Sequence, residues 1–337
     1  MKNKYLLLII FLMSTTVNHS FALDKKIAKE IEEQAKYIHS DVNPVFNVSC
    51  SMDGKIYSGA NETKTITIRD TESGKIIRKI TRNSNIRAIE FDPSSKLAII
   101  GFFNGDIEVW SIDSGKLLKE INSLGGPISD IEYSSDGKYL VVAGGTGNYS
   151  GVGIKVYDAK SFKEKYFINK VATYDSISID HDSNIFAVST WSGIFIYELS
   201  SGSLIDKLGD EYSYFDISLS NNAEVITFNQ FIKSKSYAVV LNLKSRKVLL
   251  SLKTGIAVGG VIISNDGSML FVGGDDGVVG ILDMESRSWL SHATTKGGTI
   301  KSMRLCGNRH LITGHWHNSV NVIDIFNGKV IRSHSGG

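Results

Sequence analysis

Residues 109–116 read VWSIDSGK, an apolar–polar alternation that runs into a short polar turn. Alternation with a period of two marks a strand with one buried face. The Asp-Ser-Gly segment is turn chemistry, because Asp and Ser bond to nearby backbone and Gly accepts positive φ. The same arrangement recurs as TIRDTESGK (67–75), VYDAKSFK (156–163) and IYELSSGS (196–203), then as VLNLKSRK (240–247), ILDMESRS (281–288) and VIDIFNGK (322–329). One turn position therefore falls at 74, 115, 162, 202, 246, 287 and 328, with spacings of 41, 47, 40, 44, 41 and 41. Seven copies near that period make the chain an array of one supersecondary unit.

A second strand, at the start of each unit, aligns independently. It reads VFNVSC (45–50), IRAIEF (86–91), ISDIEY (128–133), YDSISI (174–179), YFDISL (214–219), VGGVII (258–263) and IKSMRL (300–305). Its first, fourth and sixth positions are apolar, with Cys50 counted as a small apolar residue. Its third position is small or acidic throughout: Asn47, Ala88, Asp130, Ser176, Asp216, Gly260 and Ser302.

These units resemble WD repeats, whose four-stranded blades of about 40–45 residues carry Trp-Asp at the end of the third strand. The turns SMDGK (51–55), SSDGK (134–138) and SNDGS (264–268) are similar to that family's Ser-Pro-Asp-Gly turn. The resemblance covers residues 45–334. It implies an all-β protein, a seven-bladed β-propeller of four-stranded antiparallel blades. In such a ring the first strand of each blade lines a central channel, where small side chains suit the third position. The chain departs from the family at the Trp position, which only Trp110 fills; the others are Arg69, Tyr157, Tyr197, Leu241, Leu282 and Ile323. It looks closer to divergent bacterial propellers, including the surface-layer (YVTN-like) type with Tyr-Val-Thr-Asn repeats.

Residues 1–22 read as a secretory signal peptide. Lys2 and Lys4 precede an apolar run from Tyr5 to Met13, and Ser20-Phe21-Ala22 offers a cleavage site after Ala22. Periplasmic or extracellular residence is the expectation, without a stable membrane anchor. Residues 23–44 form a lead-in with a predicted short helix, whose stripe is Ile27, Ile31, Ala35 and Ile38. The propeller then occupies 45–337. The whole chain has 37 basic and 35 acidic residues, and loss of the two signal lysines balances the signs. A nucleic-acid-binding chain would show a basic excess.

Candidate chemistry is sparse, and no cofactor motif is found. The glycine-rich stretch AGGTGNYSGVG (143–153) precedes a strand, whereas phosphate cradles need a helix N-terminus. His315 and His317 flank Trp316 and would share a side if their strand continued, a spacing open to Zn or Cu; exposed turn histidines are the simpler reading. Cys50 and Cys306 belong to the first and last units, which become neighbours when a ring closes. Export would permit a disulfide, but equivalent positions on adjacent blades often lie too far apart, so two separate thiols are expected. Catalytic propellers, lactonases among them, carry acids in the channel. Asp130 and Asp216 are the acids of the third-position column, so a metal-assisted hydrolase or lyase is the alternative function.

The most informative composition lies in the turns between second and third strands, which carry Phe102, Phe103, Tyr149, Trp191, Phe231 and Trp316. Tyr174, Tyr212 and Tyr214 join them from the connections entering the first strands. All of these positions belong to one end of a propeller. Aromatic residues with polar tips are enriched at interfaces. The sequence therefore points to a non-catalytic scaffold. It would bind a protein or peptide, with glycan as a further option, through Phe103, Tyr149, Trp191, Phe231, Trp316, Tyr174 and Tyr214.

Overall fold

The computed structural model describes residues 43–145, 152–169, 174–180, 182, 184–209, 213–232, 235–254 and 259–336. The signal segment, the predicted helix at 23–39, Tyr149 and Tyr212 lie outside them.

Seven four-stranded antiparallel sheets follow one another along the chain, each a meander whose spatial order is its sequence order. The inner strands are Asn47–Cys50, Ile86–Phe91, Ile128–Tyr133, Tyr174–Ile179, Ser213–Leu219, Gly260–Ile263 and Ile300–Cys306. Each lies beside the inner strand of the next sheet, and the last lies beside the first, so the ring is closed. The chain is a seven-bladed propeller, numbered here as blades 1 to 7.

Seven apolar cores hold the ring, one in each cleft between neighbouring blades. Ile56, Ile66, Ile68 and Ile80 of blade 1 meet Ile86, Ile89 and Ile100 of blade 2, for example. Val45, Val48 and Tyr57 of blade 1 meet Ile312, Val320 and Val322 of blade 7. A blade inside the ring has neighbours on both sides. Its second strand is therefore apolar on both faces, as in LAIIGF (97–102), where all but the first residue are buried. The outer strands face water on one side and alternate, as in Leu117–Asn122.

The aligned turn position has a conformational cause. Gly74, Gly115, Phe162, Gly202, Arg246, Arg287 and Gly328 all hold φ between 54° and 73°. In every blade, five residues earlier, the pairing of third and outer strands shifts register at a β-bulge, at Arg69, Trp110, Tyr157, Tyr197, Leu241, Leu282 and Ile323. The position that holds Trp in WD repeats is thus the bulge residue, which an aliphatic, aromatic or Arg side chain fills here.

Candidate binding face and channel

A cavity of about 790 Å³ runs through the ring, lined by all seven inner strands. These strands are sheet edges, and their inward N–H groups need partners. The third- and fifth-position side chains of the preceding blade supply several. Asn47 Oδ1 accepts from Ile89 N at 3.0 Å, and Asp130 Oδ2 from Ile177 N at 2.8 Å. Glu132 Oε2 accepts from Ile179 N, Ser176 Oγ from Ile217 N and Ser178 Oγ from Leu219 N. The acids and serines of the column thus stitch blade to blade. Asn47 Nδ2 also donates to Asp130 Oδ1, reaching from blade 1 to blade 3 past the small Ala88.

The sequence reading credited the channel with only the third-position acids and with small side chains. The fifth position adds Glu90, Glu132 and Arg304. Arg304 of blade 7 reaches across the channel to both acids, at 3.2 Å from Glu90 and 2.5 Å from Glu132. Ser49 Oγ donates to the other Glu90 oxygen at 2.7 Å. Burial pushes the Glu90 carboxyl up to about 7 despite the opposing pull of Arg304, with Glu132 adding to the rise. Burial and the same neighbouring Glu132 raise Asp130 well above the usual carboxylate range. The signal was present in the sequence: position five carries Glu, Glu and Arg in units 2, 3 and 7.

Asp130 spends both carboxylate oxygens on Asn47 and backbone N–H groups. Asp216 accepts from Asn229 Nδ2 at 3.2 Å. The two histidines do not converge. The strand His310–His315 ends at His315, so alternation stops before His317. His315 is fully buried; its Nδ1 donates to Gly298 O at 2.9 Å and its Nε2 accepts from the Thr313 hydroxyl at 2.8 Å. Burial accordingly holds its pKa below the ordinary value. No group of three His, Cys, Asp or Glu side chains able to hold a metal ion occurs among the described residues.

In each antiparallel meander the turn between second and third strands lies at the end where the inner strand begins. Trp191, at 64% exposure, projects from such a turn, whereas Phe231, expected in a turn, is the penultimate residue of the second strand of blade 5 (Val225–Ile232); both line the channel. Phe46, just before the inner strand of blade 1, and Phe215, on the inner strand of blade 5, also line the channel and were missed by the sequence reading. Phe103 and Trp316 are exposed at the same end but outside the channel lining. Lys301 Nζ stands 5.1 Å from the Trp316 ring and covers part of it. Arg87 stacks over Phe46 at 4.6 Å and pairs with Glu62.

One aromatic of the proposed face, Tyr214, and one further turn candidate, Phe102, are instead interior. Tyr214 is only 4% exposed, because it packs edge-on against Phe228 in the core between blades 4 and 5 and its hydroxyl accepts from Gln230. Phe102 likewise turns inward as the last residue of its strand. Tyr174 lies on the inner strand of blade 4, with its side chain outside the described set.

No protein-family model matches the chain. Part of it is similar to Autophagy-related protein 16 of Arabidopsis thaliana, 23% identical over 181 residues, covering 52% of this chain and 34% of that protein. Another match is Apoptotic protease-activating factor 1 of Homo sapiens, 29% identical over 110 residues, covering 30% of this chain and 9% of that protein. The chain thus spans about a third of the first relative's length and under a tenth of the second's. The structure superposes on Kuenenia stuttgartiensis Hydrazine Synthase with a TM-score of 0.72 at 16% identity, covering 85% of this chain and 96% of that one. Likeness at that identity shows the fold. The ring and the partial sequence matches together support a WD-repeat, β-propeller family.

Proposed function

We propose that this WD-type propeller is a non-catalytic scaffold, exported by its N-terminal signal, that binds a protein or peptide at the channel mouth. The observation that carries the reading is the exposed apolar set Trp191 and Phe231, joined at the mouth by Phe46 and Phe215. Apolar side chains of this size left exposed around a concavity favour a partner over water. The seven packed clefts hold the mouth rigid, so little ordering entropy opposes binding. Binding energy at interfaces concentrates in a few central aromatic and Arg residues. Arg87 at the rim supplies a polar group beside the aromatics.

The test is photocrosslinking of the tagged full-length chain in its exporting host, with the crosslinker at residue 103 or 192 beside the mouth. Wild type should yield a discrete adduct with one protein, which W191A and F231A abolish while the outer-strand control L118S retains it. An adduct unaffected by both mouth variants would overturn the assignment of the face. Amino-terminal sequencing of the exported chain should begin at Leu23; material that retains Met1 would overturn the cleavage.

A further inference from the structure

The seventh junction of the ring differs from the other six. Within the ring, the chain itself runs from the outer strand of each blade to the inner strand of the next. Between blade 7 and blade 1 no such link exists, because every blade is built from four consecutive strands and none is shared across the seam. Among the described residues, non-covalent contacts alone close it. Val45 N donates to His315 O at 2.9 Å, Ser302 Oγ to Val45 O at 3.2 Å, and Asn61 Nδ2 to Asn318 Oδ1 at 2.7 Å.

The chain's two cysteines meet at this junction. Cys50 ends the inner strand of blade 1 and Cys306 that of blade 7. Both are buried in the same apolar cluster across the seam, and both are free thiols in the structure. The Cys50 Sγ lies 3.5 Å from the carbonyl oxygen of Leu305, whose carbon is bonded to the Cys306 nitrogen. The expectation of two separate thiols rested on the distance between equivalent positions. Cys306 is one residue beyond the position equivalent to Cys50, and that offset turns it toward blade 1.

We propose that Cys50 and Cys306 are an oxidisable pair whose disulfide supplies the missing covalent link of the ring. The bond forms by exchange with a disulfide-bearing oxidant, either a small molecule or an oxidised dithiol protein. The Cys50 thiolate attacks one sulfur of the oxidant and releases the other as a thiol. The Cys306 thiolate then attacks Cys50 Sγ of the mixed disulfide and releases the second thiol. The pair loses two electrons and two protons, and the oxidant takes up both. Burial raises the Cys50 pKa well above its ordinary value, with the Cys306 thiol adding to the rise. The thiolate is therefore scarce in the closed ring, and exchange occurs when the seam opens or before it first closes. Once formed, the bond ties residues 50 and 306 and removes freedom from the unfolded chain, an effect that grows with loop length.

The test equilibrates the full chain in oxidised and reduced glutathione a few degrees below its melting temperature, until the thiol count is constant. Alkylation in denaturant and peptide mass mapping follow. The expected result is protection of both cysteines and a peptide pair joined through Cys50 and Cys306 within one chain. The oxidised form should melt about 5–10 °C above the reduced form. C50S and C306S should abolish both the crosslink and the difference. Separate glutathionylation of each cysteine, persistent free thiols, or a crosslink between chains would overturn the proposal. So would an intramolecular bond that leaves the melting temperature unchanged. Since wild-type thiol mapping decides the first question, the test does not depend on either variant folding.

Discussion

At the scale of single residues, the repeat is a conformational demand that different side chains meet at different cost. The turn position needs positive φ in all seven blades, and Phe162, Arg246 and Arg287 meet it without glycine. A side chain in that region costs roughly 1–2 kcal/mol, against which glycine loses some unfolded-state entropy. Arg287 is exposed, so little packing offsets its strain. Arg287→Gly should therefore raise the melting temperature by about 1–3 °C, measured by calorimetry. The aromatic residues divide along a different line. Trp191→Ala should cost about 1–3 kcal/mol in partner affinity with little loss of stability. Tyr214→Ala should do the reverse, costing about 3–5 kcal/mol in chemical denaturation through the cavity it leaves in the core.

At the scale of the element, each inner strand is half of a junction. Its outward pairing is ordinary sheet ladder, while in blades 2, 4 and 5 side chains of the preceding blade take N–H groups of its inward edge. Ser178 illustrates the arrangement, since its hydroxyl takes the N–H of Leu219 in the next blade. Ser178→Ala leaves that buried donor unpaired and should lower stability by about 1–3 kcal/mol. Ser218→Ala, at the same position one blade on, is the control and should be nearly neutral in urea unfolding. Equal losses in the two variants would mean that the hydroxyl serves packing alone. The second strands contribute the complementary fit. A Cβ on Gly101 would sit 2.7 Å from Ile128 of the next blade, and one on Gly314 2.7 Å from Val45 across the seam. The seventh junction thus repeats the packing of the others.

At the scale of the molecule, Arg304 ties the last blade to the second and third, bypassing the first. Removing it leaves Glu90 and Glu132 facing each other without a cation, so Arg304→Ala should cost about 3–5 kcal/mol. The raised Glu90 pKa adds a pH dependence. Its folded value of about 7 exceeds the ordinary carboxyl value of about 4.5, so the folded state holds the proton more tightly. That contribution is complete below about pH 4.5 and is lost as pH rises to 7. Buried His315 acts oppositely, because its pKa is lowered, and stability is lost as pH falls through the ordinary histidine range. Comparing wild type with Glu90→Gln cancels the histidine effect. The wild type should gain more stability than the variant between pH 7.5 and 5, by an amount on the order of 1–3 kcal/mol. Parallel melting curves for the two proteins across that range would refute the assignment.

The sequence by itself determined the blade count, the strand order and the turn positions, because these follow from local periodicity and backbone preference. A two-residue alternation marks the third strands, and a positive-φ turn recurs wherever the third strand ends. The inward position of the first strand was legible for the same reason, as was Trp191 at a turn beside the channel, whereas Phe231 belongs to a strand rather than a turn. Neighbouring aromatics could not be sorted by sequence: Phe102 and Phe103 are adjacent, yet one ends a buried strand and the other begins an exposed turn. Tyr214 was drawn into the core by Phe228, a partner on the next strand. Only the closed ring decided the rest. It set Arg304 against Glu90 and Glu132, residues 214 and 172 positions away, and brought Cys50 to Cys306. Such contacts depend on the curvature accumulated over seven blades, which no single repeat encodes.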